Sequence, residues 1–424
     1  MKIAVKISID LKEGILPIFI NELYKNSGEI KKLNLVEKLG VFSRFEIDII
    51  YTDDVKFKGF ISQIQKFQDK FANIEITNFL EEKIAKGILS VSGKLPVENP
   101  DEYEMNIAGY SILTNQYILS SDSPENFTGI KNSVGMISAV KKSNKLDKKS
   151  YCSYYSTLET DCVVLNLFSG LNGFPIIIEF DQYEDFYKQL ISIKKNFSAL
   201  RIVHFDDNTN EDNYLELFNN IDIPVVSKLY DEKTIFIMSG INYLINKYKV
   251  EINTLNVGFI GIDCSAVRLV DILLKMGVYK ILGYDNDEKT MMLFEKHHGL
   301  ATTTENIIGN CDVLILMKES FDESELLKLS PGVLVISLLN SPVENIISES
   351  KACKGIIKGS WFDYAILYPG IIQGMIKSGS NQLTISKINK VSEYIINSGS
   401  KDNFLPSAFG DIHDKLKNFT AIED

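Results

Sequence analysis

The sequence predicts an α/β protein in three parts: an amino-terminal ferredoxin-like module, a middle α/β domain, and a doubly wound domain of the nucleotide-binding type. Two observations carry this expectation. Residues 1–80 order as strand, helix, strand, strand, helix, strand, and Leu255–Asp287 runs an apolar strand into a glycine-bearing turn, an apolar helix and a second strand ending on Asp285. A strand with no polar face suits a parallel sheet covered by helices on both sides. A carboxylate at the end of the second strand stands where a dinucleotide's ribose hydroxyls would be held.

Each element of the first module has its own signal. MKIAVKISID alternates as a half-buried strand, and LPIFINELYKN places apolar residues at helical spacing. LNLVEKL and FSRFEIDIIYT read as a hairpin joined through Gly40, FKGFISQIQKF as a second amphipathic helix, and ANIEITNF as the closing strand. This βαββαβ order is ferredoxin-like. The module resembles an ACT domain, a regulatory unit that dimerises edge to edge and binds an amino acid or similar effector at its first strand-helix turn. That turn is Asp10 to Gly14 here, so Asp10 and Gly14 are candidate effector contacts. A capping carboxylate and a plain turn glycine would look the same.

Composition narrows the function classes. The 424 residues suffice for two or three domains with cores of their own. A net charge of -11 without a basic cluster argues against nucleic acid and anionic membrane as partners. The uncharged run Cys162–Ile178 is broken by Gly170, Gly173 and Pro175 and is too short for a spanning helix. The chain opens directly as a strand without a basic and then apolar leader, which predicts a cytoplasmic protein. Five cysteines without C-x-x-C spacing indicate neither zinc nor a disulfide framework.

In the doubly wound domain the phosphate-binding fingerprint is altered. Where G-x-G-x-x-G/A is expected the chain has Gly261, Asp263 and Ala266. The second glycine normally lets the backbone approach a pyrophosphate, and a carboxylate there opposes the phosphates that a helix N-terminus attracts. Gly261, Asp263, Ala266 and Asp285 are the candidate cofactor residues, with NAD or NADP binding expected to be weak or absent.

The segments GKLPVENPDEYEMNIAGYSI, FTGIKNSVGMISAV, GLNGFPIII and NNIDIPVVSKLYDEKTIFIMSGINYLINKY, followed by NCDVLILMK, VLVISLLNSPVENI, ILYPGIIQGMI and NFLPSAFGDIHDKL, resemble the malic enzyme family in their order and separations. The resemblance is to the bacterial NAD(P)-dependent type with an ACT module. It implies an ACT-like domain at 1–80, a malic-type substrate domain at 85–240, a Rossmann-type domain at 241–375, and carboxy-terminal helices at 376–424 packing on the substrate domain. Such enzymes oxidise malate with NAD(P) and decarboxylate the product on a divalent metal. They use a tyrosine acid, a lysine base and three metal-binding carboxylates.

Position by position, the resemblance puts other residues at those places. The tyrosine falls on Ile107, and a three-residue slip would recruit Tyr110. The lysine falls on Asp161. Two metal carboxylates fall on Val203 and His204, and the third falls in Ser227–Glu232, which contains Lys228. Asp206, Asp207 and Asp231 are carboxylates nearby without ligand spacing, and no metal is expected. Asn340 matches an asparagine beside the nicotinamide, though a turn residue before Pro342 would serve as well. Pro369 and Gly370 match a family turn whose preceding asparagines are replaced by Asp363 and Tyr364, near Trp361. Tyr110 and Asp161 are the remaining catalytic candidates. The expectation is a catalytically altered homologue acting as a ligand-sensing or regulatory protein. The rival is an NAD(P)-dependent oxidoreductase with changed substrate or mechanism. A homo-oligomer is expected, held by the first module and the helix containing GINYLINKY.

Overall fold

The computed structural model describes residues 3–26, 28–51, 54–64, 71–78, 87–90, 98–104, 107, 109–206, 219–321, 323–359, 367–399 and 405–422. They form two compact units, Met1–Ser90 and Val91–Asp424. The second unit starts six residues after position 85, where the expected middle domain begins.

The first unit contains β1 (Ile3–Lys12), α1 (Leu16–Lys25), β2 (Gly28–Leu39), β3 (Phe42–Tyr51), α2 (Asp54–Ile64) and β4 (Phe71–Asn78). The strands make an antiparallel sheet ordered β2-β3-β1-β4, which is the ferredoxin-like arrangement. Alternate residues Val5, Ile7, Ile9 and Leu11 of the central β1 are buried with Ile47, Ile49 and Tyr51 of β3 and with Phe19, Leu23 and Phe60 of the helices. β2 begins at Gly28, five residues before the apolar run that marked it in sequence. As an exposed edge strand it has no buried face to impose alternation, so Glu29, Lys31 and Lys32 are accommodated in it.

The second unit holds two parallel sheets. The first is ordered β6-β5-β7-β8 and comprises β5 (Ser133–Lys141), β6 (Asn172–Phe180), β7 (Ala199–Phe205) and β8 (Val225–Ser227). Helix α3 (Gly109–Ser120) precedes it, α4 (Lys148–Ser169) crosses from β5 to β6, and α5 (Tyr183–Ile193) from β6 to β7. After β8 a π-helical turn, Lys228–Glu232, leads into α6 (Lys233–Tyr248). The expected boundary at 240/241 therefore falls inside a continuous helix, buried from Lys233 to Ile241, rather than in a linker. Helical periodicity in GINYLINKY marks only the carboxy-terminal half of this element.

The second sheet starts at β9 (Asn256–Ile260) and continues through α7 (Cys264–Lys275), β10 (Lys280–Tyr284), α8 (Glu288–Lys296), β11 (Leu300–Ala301), α9 (Thr304–Asn310), β12 (Val313–Leu316), β13 (Val333–Ser337), α10 (Val343–Glu349) and β14 (Cys353–Lys358). Its order, β11-β10-β9-β12-β13-β14, is the 3-2-1-4-5-6 order of a dinucleotide-binding Rossmann sheet, and every pairing is parallel. Val257, Phe259, Ile260 and the whole of Val313–Leu316 are buried, as a sheet covered on both faces requires.

The chain ends in α11 (Tyr368–Ser378), α12 (Ile385–Ser398) and α13 (Ile412–Thr420), which return to the first parallel sheet and its helices. Gln373 Nε2 donates to Ser169 O of α4 at 2.6 Å, and Val225 N donates to Asn381 O at 3.1 Å. No described helix is long and apolar enough to cross a membrane.

Candidate functional site

At the crevice end of β9 the chain turns through Gly261, whose φ of +82° is a left-handed value that only glycine adopts without strain. A side chain there would also collide with Lys318, since a Cβ would lie 2.6 Å from its backbone nitrogen. Asp263 then caps α7. Its Oδ1 accepts from Ser265 N at 2.9 Å, Ala266 N at 3.3 Å and Ser265 Oγ at 2.5 Å, and its Oδ2 accepts from Lys233 Nζ at 2.7 Å. Burial alone would raise the carboxyl's pKa, but Lys233 and these hydrogen bonds outweigh it and hold the group below the ordinary carboxylate value. Asp263 and Ala266, both candidates from sequence, thus meet at the helix N-terminus. The amides that would receive a pyrophosphate are already bonded to a carboxylate.

Asp285 at the end of β10 is similarly engaged. Its Oδ2 accepts from Ile262 N at 2.8 Å and Lys318 Nζ at 2.7 Å, and its Oδ1 accepts from Asp287 N at 3.1 Å. Lys318 leaves the end of β12, crosses the Gly261 turn and reaches Asp285. The ribose position and the pyrophosphate position are each filled by the chain's own side chains, so the residues present do not fit a dinucleotide in its usual seat. Asn340 is exposed and left-handed, with φ of +51°. Its N donates to Glu344 Oε1 at 3.2 Å, an acceptor that also takes Ser337 Oγ at 2.7 Å, which makes Asn340 a turn residue leading into α10.

In the first parallel sheet, Asp161 is 2% exposed, and its carboxylate accepts from Arg201 Nη1 at 2.6 Å. Arg201 is fully buried and forks onto Glu232, with Nε to Oε1 at 2.6 Å and Nη2 to Oε2 at 2.7 Å. Its guanidinium carbon lies 3.6 Å from the centroid of the Tyr368 ring, and Tyr368 Oη donates to Asp161 O. Burial works against Arg201's charge, and Glu232 and Asp161 more than restore it. Lys228 Nζ lies 3.9 Å from Asp161 and its pKa is lowered by burial, which Asp161 opposes. Beside this cluster, Asp231 binds Arg268, whose Nη2 donates to Leu383 O at 2.6 Å. Asp161 is therefore one carboxylate in a closed ion network. It has no open face to a substrate.

His204 lies near the end of β7 and Asp206 just follows it, with His204 Nε2 2.8 Å from Asp206 Oδ1 and 3.5 Å from Tyr154 Oη on α4. Asp206 Oδ2 also accepts from Lys141 N at 2.6 Å and Asn144 Nδ2 at 2.7 Å. Val203 is buried, so among the described residues this strand end offers one imidazole and one carboxylate. Among the described residues no group of three or more His, Cys, Asp or Glu side chains could hold a metal. Tyr110 lies on α3, and Ile107 precedes that helix with its side chain exposed. Asp207, Trp361, Asp363 and Tyr364 lie outside the described residues.

In the first unit Asp10 is part of β1 rather than of the turn. It pairs in register with Arg44 of β3, whose Nε and Nη2 donate to its two carboxylate oxygens at 2.7 and 3.0 Å. The Arg44 hydrogen bond, partly offset by burial, lowers its pKa. Gly14, with φ of +82°, makes the turn, and Ile15 caps α1 without a side-chain bond. The partners that determine this chemistry, Arg201, Glu232, Lys233, Lys318 and Arg44, carried no local sequence signal. Each is a long side chain reaching another element.

The fold of the chain is that of the malic enzymes. The chain superposes on NAD-dependent malic enzyme from Thermotoga maritima with a TM-score of 0.69 at 16% identity, covering 81% of this chain and 99% of that one. For malic enzyme from Pyrococcus horikoshii Ot3 the values are 0.67, 15%, 81% and 90%. In sequence it is 21% identical over 280 residues to NAD-dependent malic enzyme 1 of Bacillus subtilis (strain 168), a match taking in 63% of this chain and 62% of that protein. The chain thus matches less than two thirds of the length of that curated relative. No family model matches it. The chain has the fold of the malic enzymes and a sequence likeness to one of them.

Proposed function

We propose that this chain is a non-catalytic malic enzyme homologue that senses a small ligand and acts in a regulatory assembly, without bound metal and with weak or no affinity for NAD or NADP. The observation that carries this reading is the capping of α7 by Asp263, paired with Lys233, at the place where a pyrophosphate would sit. The Arg201 network supports it independently, since the position of the general base holds a carboxylate already shared with a buried guanidinium. At the first unit an effector would contact the Gly14 turn, Asp10 being held by Arg44. The exposed edge strand β2, with Leu33, Leu35 and Val36 outward, suits edge-to-edge self-association there. A cytoplasmic location fits this role.

The test is malate-dependent reduction of NAD and NADP by purified protein with Mg²⁺ or Mn²⁺. No turnover is expected, because proton transfer and Lewis-acid stabilisation both lack their groups. Turnover at ordinary enzyme rates would replace this reading with the second, an NAD(P)-dependent oxidoreductase of altered mechanism. The specific observation favouring that second reading is the Tyr154–His204–Asp206 cluster, which is the acid-base group at hand at the strand ends.

A further inference from the structure

The amino ends of β5 and β6 lie opposite the strand end that carries His204, and a hollow of about 410 Å³ opens beside them. Lys131 precedes β5, Leu171 precedes β6, Gln373, Ile376 and Lys377 belong to α11, and Lys417 belongs to α13; all six line it. Two glycines of α11 make this meeting possible. A Cβ on Gly370 would lie 2.5 Å from His413 O, and one on Gly374 would lie 2.5 Å from Lys417 O, so α11 and α13 touch along their backbones. Their last turns, which carry Lys377 and Lys417, are thereby held side by side. Three cations far apart in sequence share one hollow, in a chain whose net charge is -11.

None of the residues lining the hollow is a carboxylate, and among the described residues none of its three lysines forms an ion pair. Elsewhere in this unit exposed lysines face carboxylates, as Lys142 faces Asp181 and Lys328 faces Glu305. Lys131 Nζ instead donates to the neutral Asn126 Oδ1 at 2.5 Å. A cation in the last turn of a helix offsets its carboxy-terminal end, which is worth about half a negative charge. The helices α4, α11 and α13 all end here, and together they supply about one and a half negative charges against three positive ones. Gln373 Nε2, which donates to Ser169 O at 2.6 Å, satisfies part of the α4 end without any charge. The hollow therefore keeps an excess of positive charge. We propose that it binds the phosphate of a small phosphate monoester. At neutral pH such a group carries about one and a half to two negative charges and three acceptor oxygens, one for each ammonium. Leu171, which is buried, and the half-buried Ile376 offer the organic part an apolar wall, and the volume is within the usual range of about 300–1,000 Å³ for small-molecule sites. The site shares no residue with the Gly261 crevice and does not depend on whether the chain is catalytic.

The test uses full-length protein labelled at its isoleucine δ1 methyls, with the Ile376 resonance assigned by its loss in Ile376→Val. Propyl phosphate should move that resonance saturably, and should bind about tenfold more weakly or worse to Lys131→Gln/Lys417→Gln. Lys142→Gln, a change at the carboxy end of β5, should bind as wild type does. Butyrate, with a single charge, and inorganic phosphate, without the propyl chain, should both bind more weakly than propyl phosphate. A motionless Ile376 resonance, or undiminished affinity in the double lysine variant, would overturn the proposal. Should that variant misfold, the ranking of the three ligands on wild type decides the matter: butyrate or inorganic phosphate binding as tightly as propyl phosphate would overturn it. None of these readouts involves turnover, so failure here is distinct from failure of the non-catalytic reading.

Discussion

Lys233 Nζ lies 2.7 Å from Asp263 Oδ2, joining the first turn of α6 to the cap of α7. This pair changes the physical reason for expecting poor dinucleotide binding. From sequence the obstacle is charge, since two unit charges about 4 Å apart at an effective dielectric near 20 repel by about 4 kcal/mol, or about a thousandfold in affinity. With Lys233 in contact most of that repulsion is neutralised. What remains is occupancy: Asp263 holds the Ser265 and Ala266 amides that a phosphate would need.

The first prediction is therefore a smaller gain than charge alone implies. Asp263→Gly frees those amides and leaves Lys233 facing the site as a phosphate partner. Displacing charge-assisted hydrogen bonds costs about 1.5–3 kcal/mol, so NAD and NADP should bind about ten- to hundredfold more tightly to the variant. Calorimetric titration measures this. Tight binding by wild type, or no gain in the glycine variant, would refute the occupied-site reading.

The same pair predicts a pH dependence. The folded carboxyl of Asp263 titrates below its ordinary value of 3.8, so the unfolded chain binds more protons between the two values and stability rises with pH there. The contribution is complete above 3.8 and is lost as pH falls through the lower folded value. Asp263→Asn retains a capping oxygen but leaves Lys233 unpaired. In urea unfolding it should be less stable than wild type at neutral pH, and the difference should shrink on acidification below about pH 4. A gap that stays constant would remove the ion pair as its cause.

The fold was legible because its signals are local. Val257–Ile260 is apolar on both faces, and alternate residues of β1 are apolar, so each strand announces how many faces it buries. Position 263 was legible as an unusual carboxylate for the same reason, the fingerprint being a short fixed spacing. Its partner was not, because Lys233 lies thirty residues away on another helix. Asp161 illustrates the limit further. Sequence presents a carboxylate at a catalytic position, and only the packing of β7 against α4 and the π-helical turn reveals Arg201 between Asp161 and Glu232. Likewise Asp10, read as a turn residue, is strand-paired to Arg44, because β1 continues two residues beyond it.

Lys318 gives a prediction in which binding and stability separate. Its ammonium is half exposed, and the buried carboxylate of Asp285 keeps the Ile262 and Asp287 amides as donors when the lysine is removed, so the screened pair should contribute about 0–1 kcal/mol. Lys318→Ala should therefore leave the melting temperature nearly unchanged. In the Asp263→Gly background it releases an acceptor of Asp285 for ribose hydroxyls, which should add up to about tenfold in dinucleotide affinity. Calorimetry on the double variant checks this. An unchanged affinity would mean that Asp285 does not face the ribose position.

Arg201 should govern stability rather than activity. Arg201→Met leaves Asp161 and Glu232 buried without their cation, a loss of about 3–5 kcal/mol in urea unfolding. Asp161→Asn should be milder, since Arg201 keeps its two bonds to Glu232 and the amide oxygen can still accept from Nη1. That ordering separates the two roles open to Asp161. As a member of the ion network its replacement by Asn is tolerated and Arg201→Met is not. As an acid-base group, Asp161→Asn would abolish some activity while leaving stability alone. Equal and small effects of both substitutions on unfolding would show that the network does not hold the domain together, and Asp161 would return as a catalytic candidate.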